Sequence, residues 1–384
     1  MTANYNRLLS LDVFRGITIA SMILVNNPGS WQYVYPPLRH ASWNGCTPTD
    51  LVFPFFLFIV GVAITLSMTK RKDEGARQAS LIFQIFKRSI FIFLVGLFLN
   101  GFPDFSFASI RIPGVLQRIA LVYLISSIIF LKTDWKFILS ISVFFLFFYW
   151  ILITLIPVPG IGNPDLSKSV LLDPVTNQKT APNIIAWLDN LLLGGHLWGA
   201  TKIWDPEGLL STIPAISTCL SGVLLGKFLQ NSMDNIQKTV WIFISANLLI
   251  FTGMIWDLSF PFNKSIWTSS YVLFTSGIAL NVFAFCYWFA DIKKIIWWTK
   301  PFVIYGTNAI AVYFLSGIFS DLLYTIKIYD AAGNSKSLGG AIYNSLFTPF
   351  FSPYVASLLW ALVYVLFWLA IMWLFYRKKI FIRI

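Results

Sequence analysis

Charged side chains are scarce in this chain: Asp, Glu, Lys and Arg together make up 11% of its 384 residues. A soluble protein carries about a quarter. With 57% hydrophobic residues and a mean hydropathy of +0.72, the chain has more apolar surface than one globular core can hide. That excludes a water-soluble fold and makes a bilayer the solvent for much of the surface. Histidine is rarer still, with two residues, and there are three cysteines. Cys46, Cys219 and Cys286 lie far apart, in a spacing that offers no metal site and supports no structural disulfide. No glycine-rich phosphate loop, sequence repeat or low-complexity tract is visible. The apolar stretch beginning near Leu11 lacks a small-residue cleavage site, so it is expected to stay as a signal anchor.

What is abundant is apolar sequence of spanning length. Such runs occur at about 10–26, 50–69, 83–101, 113–131, 137–156, 209–230, 239–257, 268–290, 302–322 and 353–375. The expected fold is all-α, a polytopic integral membrane protein with about ten transmembrane helices, forming a single domain over residues 1–384. The formal net charge of +12 would suggest a nucleic-acid partner in a soluble protein. Here the basic residues fall between spans, as Arg7, Lys70-Arg71-Lys72, Lys87-Arg88, Lys132, Lys136, Lys227, Lys238 and the tail Arg377-Lys378-Lys379. The bilayer, and no nucleic acid, is the implied partner. The alternate connections, including about 157–208 and 323–352, are poorer in Lys and Arg. The positive-inside rule then places both termini in the cytoplasm. The segment at about 157–208 becomes an outer-side loop, with one short amphipathic helix around Asn183–Leu193. Loops that long in a compact membrane domain are usually functional.

Polar residues near the span boundaries are the candidate chemistry. Thr47-Pro48-Thr49-Asp50 reads as an N-cap, an N1 proline and an N3 carboxylate, and Asp205-Pro206-Glu207 repeats that logic. His40 stands just before the first of these, where an imidazole suits proton transfer. A solvated loop histidine is the competing reading for His40, and with greater force for His196. Asp50 caps the helix, orients His40, or does both. Asn26 and Asn308 are intramembrane amides that either hydrogen-bond between helices or act on a ligand. Arg118 cannot discharge and must find an anion or carbonyls.

Several of these residues sit in motifs that resemble a known family. They are Arg7-Leu8-Leu9-Ser10-Leu11-Asp12-Val13-Phe14-Arg15-Gly16, Met22-Ile23-Leu24-Val25-Asn26-Asn27, and His40-Ala41-Ser42-Trp43-Asn44-Gly45 through Asp50-Leu51-Val52-Phe53-Pro54. Arg111-Ile112-Pro113-Gly114-Val115-Leu116-Gln117-Arg118, Asp205-Pro206-Glu207-Gly208-Leu209-Leu210 and Gly306-Thr307-Asn308-Ala309 follow in order. Together they cover nearly the whole chain, which is similar to the heparan-α-glucosaminide N-acetyltransferase family, specifically its compact bacterial-type members. The resemblance implies transfer of acetyl from cytoplasmic acetyl-CoA, a co-substrate, to the amine of a glucosamine-type sugar across the membrane, with no metal. The family's active-site histidine matches His40 and its membrane asparagine matches Asn26, although the spacing between the two is longer here than in the animal enzyme. The animal enzyme's luminal domain is expected to be absent, so a heparan substrate does not carry over. A bacterial cytoplasmic (inner) membrane and a homodimer follow by analogy alone.

Under that resemblance His40 is a general base or an acetyl carrier, Asp50 fixes its tautomer, and Asn26 donates to the thioester oxygen. Arg15, Lys87, Arg88, Arg118 and Asn308 are the candidates for the acetyl-CoA side, with topology a competing explanation for the first three. Trp43, Asn44, His196, Asp205 and Glu207 are the candidates for the amino-sugar acceptor. Two other activities fit the same composition: a transporter of a small polar or sugar solute, and a membrane O-acyltransferase.

Overall fold

A computed structural model describes residues 8–172, 177–329 and 335–382. Arg7, residues 173–176 of the long outer segment and residues 330–334 of the second long connection lie outside the described residues. In chain order the helices are α1 (Leu9–Asn26), α2 (Val52–Asp73), α3 (Gln78–Gly101), α4 (Val115–Lys132), α5 (Trp135–Leu155), α6 (Ile184–Leu193) and α7 (Thr212–Leu229). There follow α8 (Asn235–Asp257), α9 (Ser269–Cys286), α10 (Lys300–Thr307), α11 (Ala309–Thr325), α12 (Leu338–Leu346) and α13 (Pro353–Arg377). Among the described residues nine helices are long and apolar enough to span a membrane, and the pair α10–α11 brings the number to ten if counted as one broken span. This is an all-α polytopic integral membrane protein. Helices are the natural result of such runs, because a backbone in hydrocarbon must satisfy every N–H and C=O within its own segment.

The chain divides into two compact units. The larger holds residues 41–46 and 53–288, and so α2 to α9. Its inner helices are α4 and α7, where 61% and 67% of the spanning window is buried, against 22% in α5 and α8. The α2–α7 crossing depends on two glycines: a Cβ on Gly61 would strike the Cys219 carbonyl, and one on Gly222 would strike the Phe58 carbonyl. Polar N-caps start the exposed ends. Asp134 accepts from Phe137 N at 2.9 Å to begin α5, and Asn183 accepts from Ala186 N at 3.1 Å to begin α6. The helix expected around Asn183–Leu193 is thus present.

The expectation that Asp205-Pro206-Glu207 opens a helix is not met. The next helix, α7, begins only at Thr212. The Asp205 carboxylate accepts from Glu207 N at 3.0 Å, which closes a local turn, and is also held by a guanidinium, a charged and stronger partner.

The smaller unit holds residues 8–40, 47–52 and 289–384, and so α1 and α10 to α13. Leu8 precedes α1 and has no capping oxygen, so Asp291 supplies one, accepting from Leu9 N at 3.2 Å and Ser10 N at 2.9 Å. The sequence predicts an uninterrupted span at about 302–322. The structure breaks it: α10 and α11 meet at 81°. Asn308 sits at the break, donating to Ile380 O at 3.1 Å and accepting from Ile382 N at 2.8 Å. Hydropathy cannot register such a break, since no proline or charge marks it.

Candidate functional site

Two polar constellations emerge, one in each unit. In the smaller unit, Thr47 precedes the 3-10 turn Pro48–Leu51 that leads into α2. Asp50 Oδ2 accepts from Thr47 N at 3.0 Å and the Thr47 hydroxyl oxygen accepts from Asp50 N, as the capping arrangement predicts. The other oxygen, Oδ1, lies 2.6 Å from His40 Nδ1. Asp50 therefore caps the turn and binds the imidazole at once, one oxygen for each task. It is 1% exposed, whereas the His40 side chain is 46% exposed. A buried carboxylate fixed at one oxygen can hold Nδ1 as the protonated nitrogen, leaving Nε2 as the basic one.

The other candidates of this unit are spread along its helices. Asn26 is the last residue of α1 and is exposed. Arg15 contacts Asp12 and the Gly306 carbonyl, each at 3.4 Å. Asn308 ties the tail to the helix break, as described above.

The second constellation belongs to the larger unit. Arg111 Nε donates to Asp205 Oδ2 at 2.8 Å, and Nη2 donates to Asp205 Oδ1 at 2.6 Å and Glu207 Oε2 at 2.5 Å. The Asp205 side chain is fully buried. Burial opposes charge on Arg111, but the hydrogen bond from Asp205 and the charges of both acids raise its pKa above the usual guanidinium value. Asp189, on α6, accepts from Leu209 N at 3.0 Å and Asp205 N at 3.3 Å, clamping the turn between the two acids. Burial lifts the Asp189 carboxyl to about 6; the two N–H bonds pull it down and the Asp205 charge pushes it up. One turn into α4, Arg118 is 1% exposed and donates through Nη2 to Gly208 O at 3.2 Å and to Ser211 Oγ. Its guanidinium lies 5.1 Å from the Trp267 ring. Arg118 Nε and Nη1 have no hydrogen-bond partner among the described residues, which leaves them able to hold a ligand oxygen.

Remaining candidates have identifiable local roles. Trp43 packs between two apolar clusters, one around Tyr149 and Ile266 and one around Val158 and Trp204, and donates to Leu166 O at 2.9 Å. Asn44 accepts from Asn263 Nδ2 at 3.1 Å. His196 Nδ1 lies 2.9 Å from Ile110 O. Lys87 and Arg88 are exposed on α3, with Arg88 4.9 Å from the Tyr123 ring. The structure thus joins His40 to Asp50 and Asp205 to Glu207. It adds Arg111, Asp189, Ser211 and Trp267, to which the sequence assigned no role. Asp189 carried a signal, as the one charge in the ten-residue α6, where Asn190 is the other polar residue.

A family model described as heparan-alpha-glucosaminide N-acetyltransferase, catalytic, matches residues 7–199. The human heparan-alpha-glucosaminide N-acetyltransferase is 30% identical over 424 aligned positions, covering 98% of this chain and 60% of the relative. The mouse protein of the same name is 29% identical over 429 positions, covering 99% of this chain and 61% of the relative. The chain therefore spans about three-fifths of the length of these curated relatives. With half its length matched by the family model, and the His40–Asp50 pair inside that half, the chain belongs to the heparan-α-glucosaminide N-acetyltransferase catalytic family.

Proposed function

We propose that this chain is a membrane N-acetyltransferase that moves acetyl from acetyl-CoA to the amine of a glucosamine-type sugar, with residues 1–384 acting as one catalytic domain. The observation that carries the reading is the His40–Asp50 pair at the entry to α2, in a chain of this family. An amine attacks a thioester only when neutral, and it must lose a proton as the C–N bond forms. His40 Nε2 takes that proton. Asp50 holds Nδ1–H and so favours the tautomer that can accept, while Thr47 restrains the second carboxylate oxygen. Asn26 donates to the carbonyl oxygen as it gains negative charge. The tetrahedral adduct collapses by breaking the C–S bond, and the thiolate of CoA takes the proton back from the imidazolium. The products are the N-acetyl sugar and CoA thiol.

Arg15, Lys87 and Arg88 are the cations for the CoA phosphates, and Arg118 offers its unpaired nitrogens to an acyl or phosphate oxygen. Trp43, Asn44 and His196 serve the acceptor. Asp205 and Glu207 are already paired with Arg111, so an incoming ammonium must compete with it for them. The basic connections support cytoplasmic termini, and family analogy a bacterial inner membrane and a homodimer.

Purified protein incubated with labelled acetyl-CoA and a panel of amino sugars tests the reaction. His40→Ala is expected to lower transfer by at least about 100-fold while the protein stays folded. Equal rates in the two proteins would refute the assignment. One observation favours a second reading: the broken α10–α11 span is a feature that transporters use to bind solutes. Uptake of a sugar into vesicles without any CoA requirement would support that reading instead.

A further inference from the structure

The larger unit contains a cavity of about 680 Å³ among α5, α7, α8 and α9, lined by none of the candidate site residues. Its outer walls are exposed apolar side chains, including Leu139 and Val143 of α5 and Leu248 of α8, so it opens sideways toward lipid. Along α7 it runs from Ser217 to Phe228, about 16 Å of helix at 1.5 Å per residue. Two of the serines on its walls spend their hydroxyl protons on backbone carbonyls. Ser217 donates to Ser142 O at 3.1 Å, and Ser221 donates to Thr218 O at 2.7 Å. Most of the lining is apolar, so a chain carrying amides, such as pantetheine, would leave most of its polar groups without partners there, whereas a hydrocarbon chain would lose nothing.

One end of the groove is cationic. Lys227, in the last turn of α7, lines the cavity, and its ammonium lies 4.9 Å from the Phe130 ring. Lys72, from the end of α2, places a second ammonium 5.4 Å from the same ring. The Asp134 carboxylate, whose charge reaches Lys227, is engaged as the α5 N-cap. Trp135 and Trp241 flank this end, where indoles favour the depth of lipid headgroups.

We propose that this groove holds one acyl chain of an anionic phospholipid, with its phosphate against Lys227 in the combined field of Lys227 and Lys72. The geometry supplies both halves of that ligand: a lateral apolar slot and two cations at one end.

Native mass spectrometry of detergent-purified protein titrated with phosphatidylglycerol or phosphatidylcholine provides the test. Phosphatidylglycerol is expected to fill one site preferentially. Lys227→Gln should weaken that site about five-fold, the effect of one basic residue near a membrane surface, while phosphatidylcholine binding stays unchanged. Ser245→Trp, on an exposed wall of α8, and Leu224→Trp should each remove the site for both lipids. Ser245→Trp leaves every buried contact in place, so it reports on the groove even if the Leu224 variant fails to fold. Three results would overturn the proposal: phosphatidylglycerol occupancy unaffected by Ser245→Trp, one-for-one displacement of phosphatidylglycerol by acetyl-CoA, or dimerisation that fills the groove once lipid is removed.

Discussion

His40 and Asp50 are ten positions apart and are joined by a 2.6 Å contact, with the carboxylate buried and the imidazole half-exposed. A carboxylate in that position acts through the histidine. Asp50→Asn keeps the shape but presents an amide that can stabilise the other tautomer. It is expected to lower the transfer rate by about 10²–10⁴-fold with little change in the acetyl-CoA KM, as measured by steady-state kinetics. An Asp50 that served only as a cap would lower folded yield and leave the rate per folded molecule unchanged. Asp189 makes a different prediction, about pH. Its carboxyl titrates at about 6 in the folded protein and near 3.9 in an unfolded chain. Between those values the folded state binds more protons, so stability falls as pH rises through this window and the cost is fully present above it. The thermal midpoint of the native protein, compared with that of Asp189→Asn, should therefore improve on going from pH 7 to pH 5. The His40–Asp50 pair was legible in the sequence because a capping motif places the carboxylate near the histidine. The Arg111–Asp205 pair was not, because 94 positions separate the partners and no local rule links them.

At the scale of elements, the spans were legible because hydrocarbon imposes length and composition on every helix that crosses it. Breaks and turns were less so. The α10–α11 bend is organised by Asn308 and the chain tail, a long-range contact without a hydropathy signature. The turn before α7 is organised by Arg111, which holds Asp205 while the same carboxylate caps a turn and not a helix. Arg111→Ala would leave Asp205 buried without its cation, at a cost of about 3–5 kcal/mol. It should appear as a lower thermal midpoint in detergent, and pairing it with Asp205→Leu should recover part of the loss. The α2–α7 crossing is equally exacting. Gly222→Val would force its side chain into the Phe58 carbonyl, so the yield of folded protein on gel filtration should fall sharply. The same substitution at Gly75, with open space around it, tests that steric claim poorly, because its positive φ adds strain of its own.

For the whole molecule, basic residues at the α2–α3, α4–α5 and α7–α8 connections mark one end of the larger unit's helices, and the Arg111–Asp205–Glu207 network marks the other. If the basic end is cytoplasmic, acetyl-CoA and the sugar meet the protein from opposite sides. Transfer across a sealed membrane is then the central claim. The most direct measurement uses proteoliposomes with glucosamine sealed inside and labelled acetyl-CoA added outside, in the presence of protein oriented with its basic connections outward. The account predicts labelled N-acetylglucosamine inside the vesicles, lost in His40→Ala. Labelled product only when both substrates are on the same side, or none with any amino sugar, would contradict it.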